Sequence, residues 1–252
     1  MTTIQKIYRP SMTVGQVYAK PYGVNMLALP IGNVLELKLE HDEDVQTQDD
    51  MSVLGGGLHA EVRRIKAVKM SMKMADLNPV NLARATQATV AEVEGDAVTD
   101  EPHICTLGGL IRLAHIQPTN VTLKKGATAA AATTVTAAGN YEARAEGIFL
   151  QPDAAGLSNS DKLWVSYSYG AYVSIEALTT KAVELELSFG GMNEADSGKP
   201  SVVDVFRVSQ GVTKSLDLIG KGFGSLDVSG SVLQDPTKTG AGISKYYKTS
   251  MA

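Results

Sequence analysis

Leu35, Leu37 and Leu39 alternate with Glu36, Lys38 and Glu40, the period of two that gives a strand one buried face and one wet one. The pattern recurs where Val68, Met70, Met72 and Met74 alternate with Lys69, Ser71 and Lys73. A chain with two such strands must place a core on one side of a sheet. Between them lie five carboxylates, Asp42, Glu43, Asp44, Asp49 and Asp50, followed by Gly55, Gly56 and Gly57. Like charges repel and a triple glycine packs poorly, so residues 42–57 are expected to form a long loop that projects into solvent or against a partner. Unstructured loops longer than about 12–15 residues are uncommon in compact domains unless they are functional or disordered.

Alternation returns at Leu163, Val165, Tyr167 and Tyr169, and again at Val183, Leu185, Leu187 and Phe189. Shorter strands are expected at 110–115, 120–124, 141–145, 147–150, 202–208, 216–219 and 226–232, separated by glycines and prolines. The only helix signal follows Leu77, where Asn78 is a good N-cap and Pro79 suits the first helical position. About ten strands and one helix describe a mainly β chain, an antiparallel β-sandwich or partly closed barrel with one flanking α-helix. Residues 31–252 are expected to form one such domain, with a surface elaboration around 96–160 that includes the Ala/Thr-rich run from Gly126 to Gly139. Residues 1–30 carry Pro10, Pro21 and Pro30 without sustained periodicity, and are expected to form an arm that orders on a neighbouring subunit and is dispensable for folding.

With 252 residues, 44% of them hydrophobic, the chain can build a core without metal or disulfide, and its one cysteine, Cys105, cannot close a bridge within the chain. A net charge of −4 supplies no global positive field for tight nucleic-acid binding. The start lacks the apolar stretch of a signal peptide, and no run is long enough to cross a membrane as a helix.

Catalytic patterns are missing in sequence. His103 and Cys105 have no third partner nearby, and His115, His41 and His59 read as boundary or loop residues. Gly198-Lys199 is followed by Pro200 where a Walker loop needs Ser or Thr, and the glycines from Gly220 to Gly224 lack dinucleotide spacing. Asp42 and Asp44 have calcium-loop spacing without the glycine or the closing glutamate. The expectation is a protein that is not an enzyme and carries no catalytic residue, metal site or cofactor.

The order of these features resembles the major tail tube proteins of siphophages. The resemblance is carried by the run from Ile31 to Lys38, the acidic and glycine-rich segment, the Lys69–Met74 strand and Leu77-Asn78-Pro79-Val80-Asn81-Leu82-Ala83. It continues through Asn140-Tyr141-Glu142-Ala143 and the strand from Leu163 to Tyr169. It ends with Leu187-Ser188-Phe189-Gly190-Gly191-Met192-Asn193 and Gly198-Lys199-Pro200. What it implies is a structural virion protein whose hexameric rings stack into a tube that conducts DNA into the host cell. It also implies a location in the virion tail, and in host cytoplasm during assembly. The implied partners are further copies of the chain, a tape measure protein, a tail tip or baseplate initiator and a tail terminator, with genomic DNA passing through without specific binding. Other β-rich virion parts, such as a head decoration or tail terminator protein, and a carbohydrate-binding β-sandwich stand beside this reading.

Within it, the acidic segment Asp42, Glu43, Asp44, Asp49, Asp50, Gly55, Gly56 and Gly57 is the expected contact between rings or subunits. The lumen is expected to be lined by Glu36, Lys38, Glu40, Lys69, Ser71, Lys73, Glu184, Glu186 and Ser188.

Overall fold

A computed structural model describes residues 10–252, so Met1–Arg9 of the expected arm lie outside the described residues. The chain divides into two compact units, residues 1–90 with 175–252 and residues 91–174. This corrects the expectation of a single domain over 31–252. The reason is that the segment read as an elaboration has its own apolar core, built around Leu113, Leu123, Ile148, Leu150, Leu163 and Val165.

The chain opens with β1 (Thr13–Pro21), β2 (Leu29–Pro30), β3 (Val34–Asp49) and β4 (Leu58–Met74), followed by α1 (Pro79–Thr86) and β5 (Thr89–Val93). Then come β6 (Asp96–Ile104), β7 (Leu110–Arg112), β8 (Thr119–Lys125), β9 (Thr133–Val135), β10 (Tyr141–Arg144), β11 (Gly147–Leu150), β12 (Lys162–Tyr169) and β13 (Tyr172–Glu176). The chain finishes with β14 (Glu184–Asn193), β15 (Lys199–Gln210), β16 (Leu226–Val232) and β17 (Tyr247–Met251). The fold is therefore mainly β, with antiparallel sheets and one α-helix.

In the first unit one sheet runs β2-β1-β14-β15-β16-β4-β3, with β17 added beside β15. The path has two ends, so it closes no barrel among the described residues. Val17, Met70, Met72, Met74, Leu187 and Val228 fill the core on one side. The alternation read in β4 is borne out, since those methionines are buried while Lys69, Ser71 and Lys73 are not. In β3 it breaks at one place. A bulge between Val34 and Glu36 turns Leu35 outward, where it is 58% exposed, while Leu37 and Leu39 pack on the core. The helix starts as expected, with the Asn78 side chain accepting from the Asn81 N–H at 2.8 Å, and it buries Ala85.

The expected arm is corrected as well. β1 pairs with β14 along its whole length, from Thr13↔Asn193 to Pro21↔Leu185, and its Val17 and Ala19 are buried. Those two side chains alternate with Gln16, Tyr18 and Lys20, a strand pattern that the surrounding prolines mask. The strand expected at 216–219 is absent: this stretch carries no strand, and Leu218 and Ile219 are exposed. The neighbours of β16 are β15 and β4 instead.

In the second unit β6, β12, β8 and β9 form one sheet and β10, β11 and β7 another. The Ala/Thr run resolves into a short hairpin, with β9 paired on β8 and Val135 buried. Gly126 holds its turn, where a Cβ would meet the Ala132 Cα at 2.5 Å.

Candidate assembly surface

The residues expected to line a lumen share one face of one sheet. Glu36, Lys38 and Glu40 lie opposite Lys73, Ser71 and Lys69, and those lie opposite Asp227, Ser229 and Ser231 of β16. Ser231 pairs with Ser209, and Ser209 with Glu184, so the same face continues through β15 to Glu184, Glu186 and Ser188. The nine therefore fall into two groups, six on β3 and β4 and three on β14, with β15 and β16 between them. Sequence reasoning left out the intervening contributors, Asp204, Arg207, Asp227 and Ser229. The alternation of Leu226 and Val228 with Asp227 and Ser229 was a legible signal for the last two.

Charges are balanced on the β3, β4 and β16 part of this face and lean acidic on the rest, where Glu184, Glu186 and Asp204 stand against Arg207 and Lys20. Lys38, Lys69 and Lys73 on β3 and β4 stand among Glu36, Glu40 and Asp227, three of each sign. Lys38 pairs with Glu36, and Lys20 with Glu186 at 3.0 Å. Ser188 Oγ donates to Asp204 at 2.6 Å, and Arg207 grips Glu184 with two hydrogen bonds, at 2.7 and 2.9 Å.

That guanidinium holds the Glu184 carboxyl below the usual glutamate range. Because the folded pKa is depressed, the stability contributed by the pair is complete above the ordinary value of about 4.3 and is lost as pH falls through the folded value. Thermal melting between pH 6 and pH 3 should show Glu184→Gln losing less stability on acidification than the parent chain. Parallel curves for the two proteins would remove the pair from the acid response.

The acidic segment differs most from expectation. Asp42 to Asp49 is not loop but the distal half of β3, paired with β4 out to Asp49↔Leu58, and only Asp50–Gly57 forms the turn. The repulsion foreseen among the carboxylates is relieved by the opposite strand. Lys69 pairs with Asp42 at 2.5 Å, and Arg63 bridges Glu43 and Glu61 at 3.2 and 2.5 Å. Asp50 accepts from the Ser52 backbone and hydroxyl, while Asp44 and Asp49 make no ion pair among the described residues. Gly55, Gly56 and Gly57 all take positive φ, which the turn requires.

Beyond His41 on β3 and before Ala67 on β4, almost every residue of this ribbon is exposed on both faces. Its apolar members, Val45, Val62 and Ile65 on the shaft and Met51, Val53 and Leu54 at the tip, are uncovered, with Met51 91% exposed. The β3 end of the sheet is open, and the β1 end is covered only over Val17 to Ala19. No backbone hydrogen bond from another described element reaches the outer edge of β3, and β2 covers β1 only at Tyr18 and Ala19, with Ile31 bonding at Val17.

The chemistry-bearing residues noted in sequence do not assemble into a reactive centre. Cys105 is 1% exposed, and burial pushes its thiol pKa up. His103 is held by Glu101 at 2.8 Å, and His115 stacks on Tyr169 with 3.6 Å between ring centroids. His41 Nε2 lies 3.0 Å from the Tyr247 hydroxyl. Among the described residues no cluster of three potential metal ligands occurs, and no helix is long and apolar enough to cross a membrane.

Residues 10–250 match the model of a family described as "Protein of unknown function UCP028589". No curated protein matches the chain.

Proposed function

The chain belongs to that family of unknown function, and we propose that it is a structural subunit that polymerises with copies of itself, as stacked rings forming a phage tail tube. The observation that carries this reading is the sheet with an open β3 edge, a β1 edge covered only in its middle and a polar face of mixed charge, from which an uncovered hairpin projects. An open edge strand is a template for another chain, and copies that join β1 to β3 of a neighbour use the same two edges at every step. Such a heterologous contact either closes a ring or continues without end. The finer description, a β-sandwich in a hexameric ring with the polar face lining a conduit, rests on the sequence resemblance together with this geometry.

The mixed charge of the polar face supports passage of DNA. Phosphates are held by clustered cations that release counterions, and here Lys38, Lys69 and Lys73 are interleaved with carboxylates. The hairpin supports contact between subunits or rings, because a lone two-stranded ribbon is marginally stable in water and exposed apolar side chains mark contact surfaces.

Negative-stain electron microscopy of the purified protein over a range of concentrations tests the reading. Tubes or six-fold rings are the expected result. Compact trimers would favour a head decoration protein, and monomers at every concentration would overturn self-assembly.

A further inference from the structure

The inner face of the first unit is built in rows across β1, β14 and β15. Ala19, Leu187 and Val205 make one buried row, and Val17, Phe189 and Val203 make the next. The third row is Gly15, Gly191 and Ser201, and two of these have no side chain to give. The core therefore runs out of side chains before the sheet ends. What remains is a cavity of about 540 Å³, with Leu37 and Leu39 of β3 among the residues that line it. Phe189 and Val203 are left half-buried beside it, and Val14 at its edge is 45% exposed. Protein interiors are close-packed, and a void forfeits the contacts of every group that lines it.

The described chain begins at the open end of these rows. Thr13 pairs with Asn193 one row beyond Gly15. Asn193 is 5% exposed, and its side chain holds the chain that precedes β1. Its Nδ2 donates to the Pro10 carbonyl at 3.0 Å, and its Oδ1 accepts from the Met12 N–H at 2.9 Å. Asn193 stands in the same alternation as Leu187 and Phe189, so Pro10 is tied to the inner face of the sheet. Residues 1–9 precede that anchor and bring Ile4, Ile7 and Tyr8.

We propose that the cavity is the seat of this first segment of the same chain, with Ile7 and Tyr8 supplying the row that Gly15 and Gly191 leave empty. Two arguments choose this occupant. Ile7 and Tyr8 stand just before Pro10, so a chain that extends at about 3.3–3.6 Å per residue brings them to the cavity without a linker to span. A tethered segment also competes at an effective concentration in the millimolar range, which the hairpin tip of a freely diffusing copy does not reach. The inference is independent of the assembly reading, because it concerns how one subunit completes its own core.

Thiol labelling tests it. Val203→Cys places a reporter in the cavity wall, and the native Cys105 is 1% exposed, so the parent chain gives the background rate. With an aromatic disulfide as the probe, the reporter should react at least about tenfold faster once residues 2–9 are removed, because it is then reached without local opening of the segment. Ile7→Asp combined with Tyr8→Asp in the full-length chain should give the same gain. Both changes leave β1 whole, and a sigmoidal melt of either variant separates exposure from unfolding. A synthetic peptide of residues 1–9 added to the truncated protein should slow labelling again. Equal rates with and without the segment overturn the proposal. So does protection that disappears on dilution, which would put a second copy's segment or hairpin in the cavity. Sedimentation at the same concentrations reads assembly separately: a monomer whose reporter is protected upholds this inference while it removes the self-assembly reading.

Discussion

Removal of residues 1–20 abolishes cooperative unfolding of the first unit. The deletion takes away nearly all of β1, which is not a terminal decoration but the partner of β14 at nine successive positions. It removes the side chains of Val17 and Ala19 from a core where they are 1% and 3% exposed. Burying one large aliphatic side chain is worth about 1.5–3 kcal/mol, and the deletion also leaves the β14 backbone without its partner on that side. Against a total stability on the order of 5–15 kcal/mol, losses of this size leave no folded margin. Circular dichroism melting of the truncated chain should show a broad, low-amplitude change in place of a sigmoid. A sharp transition within a few degrees of the parent would mean that β1 behaves as the dispensable arm its prolines imply.

Replacing residues 45–63 by Asn-Gly leaves a subunit that folds as before and does not assemble. The cut is set by the ladder, since Asp44 pairs with Arg64 and a two-residue turn can join that pair directly. Cutting only Val45–Gly55 would strip one strand and leave His59 to Arg63 without partners. The excised residues are almost wholly exposed, so the melting temperature should change by no more than about 2 °C, the range of surface changes near ±0.5 kcal/mol. Loss of Met51, Val53 and Leu54 removes the apolar tip, and assembly measured by sedimentation should fall to background. Tubes or rings of normal length from this variant would make the hairpin a bystander.

Much of the sheet was legible because the alternation is strict where both flanks are punctuated. β11 and β16 occupy the stretches expected, 147–150 and 226–232, each set off by glycine or proline. The distal half of β3 was hidden by its own chemistry. Its run of carboxylates reads as a solvated loop until Arg63, Arg64, Lys66 and Lys69 are recognised as a complement in antiparallel register, which needs the pairing and not the composition. β1 was hidden for a different reason: its buried side chains are small, and Pro10 and Pro21 bracket them. The cavity beside Arg84 had no sequence signal at all. An arginine near a helix end is ordinary, and the cavity forms only when Val183, Leu185 and Gln210 from far along the chain are brought beside α1.

The strands β5 and β13 pair with each other as a two-stranded sheet, and they are the two stretches by which the chain leaves the first unit and returns to it. Departure and return at adjacent points mean that the host fold sees residues 91–174 as it would see a short turn. The entropy of closing that detour grows only with the logarithm of its length and is borne largely by the insert's own folding. The host sheet is thus insulated from the length and content of what is grafted there. A lineage of such chains can exchange, enlarge or discard this module without renegotiating the core that holds β1, β4 and β14 together.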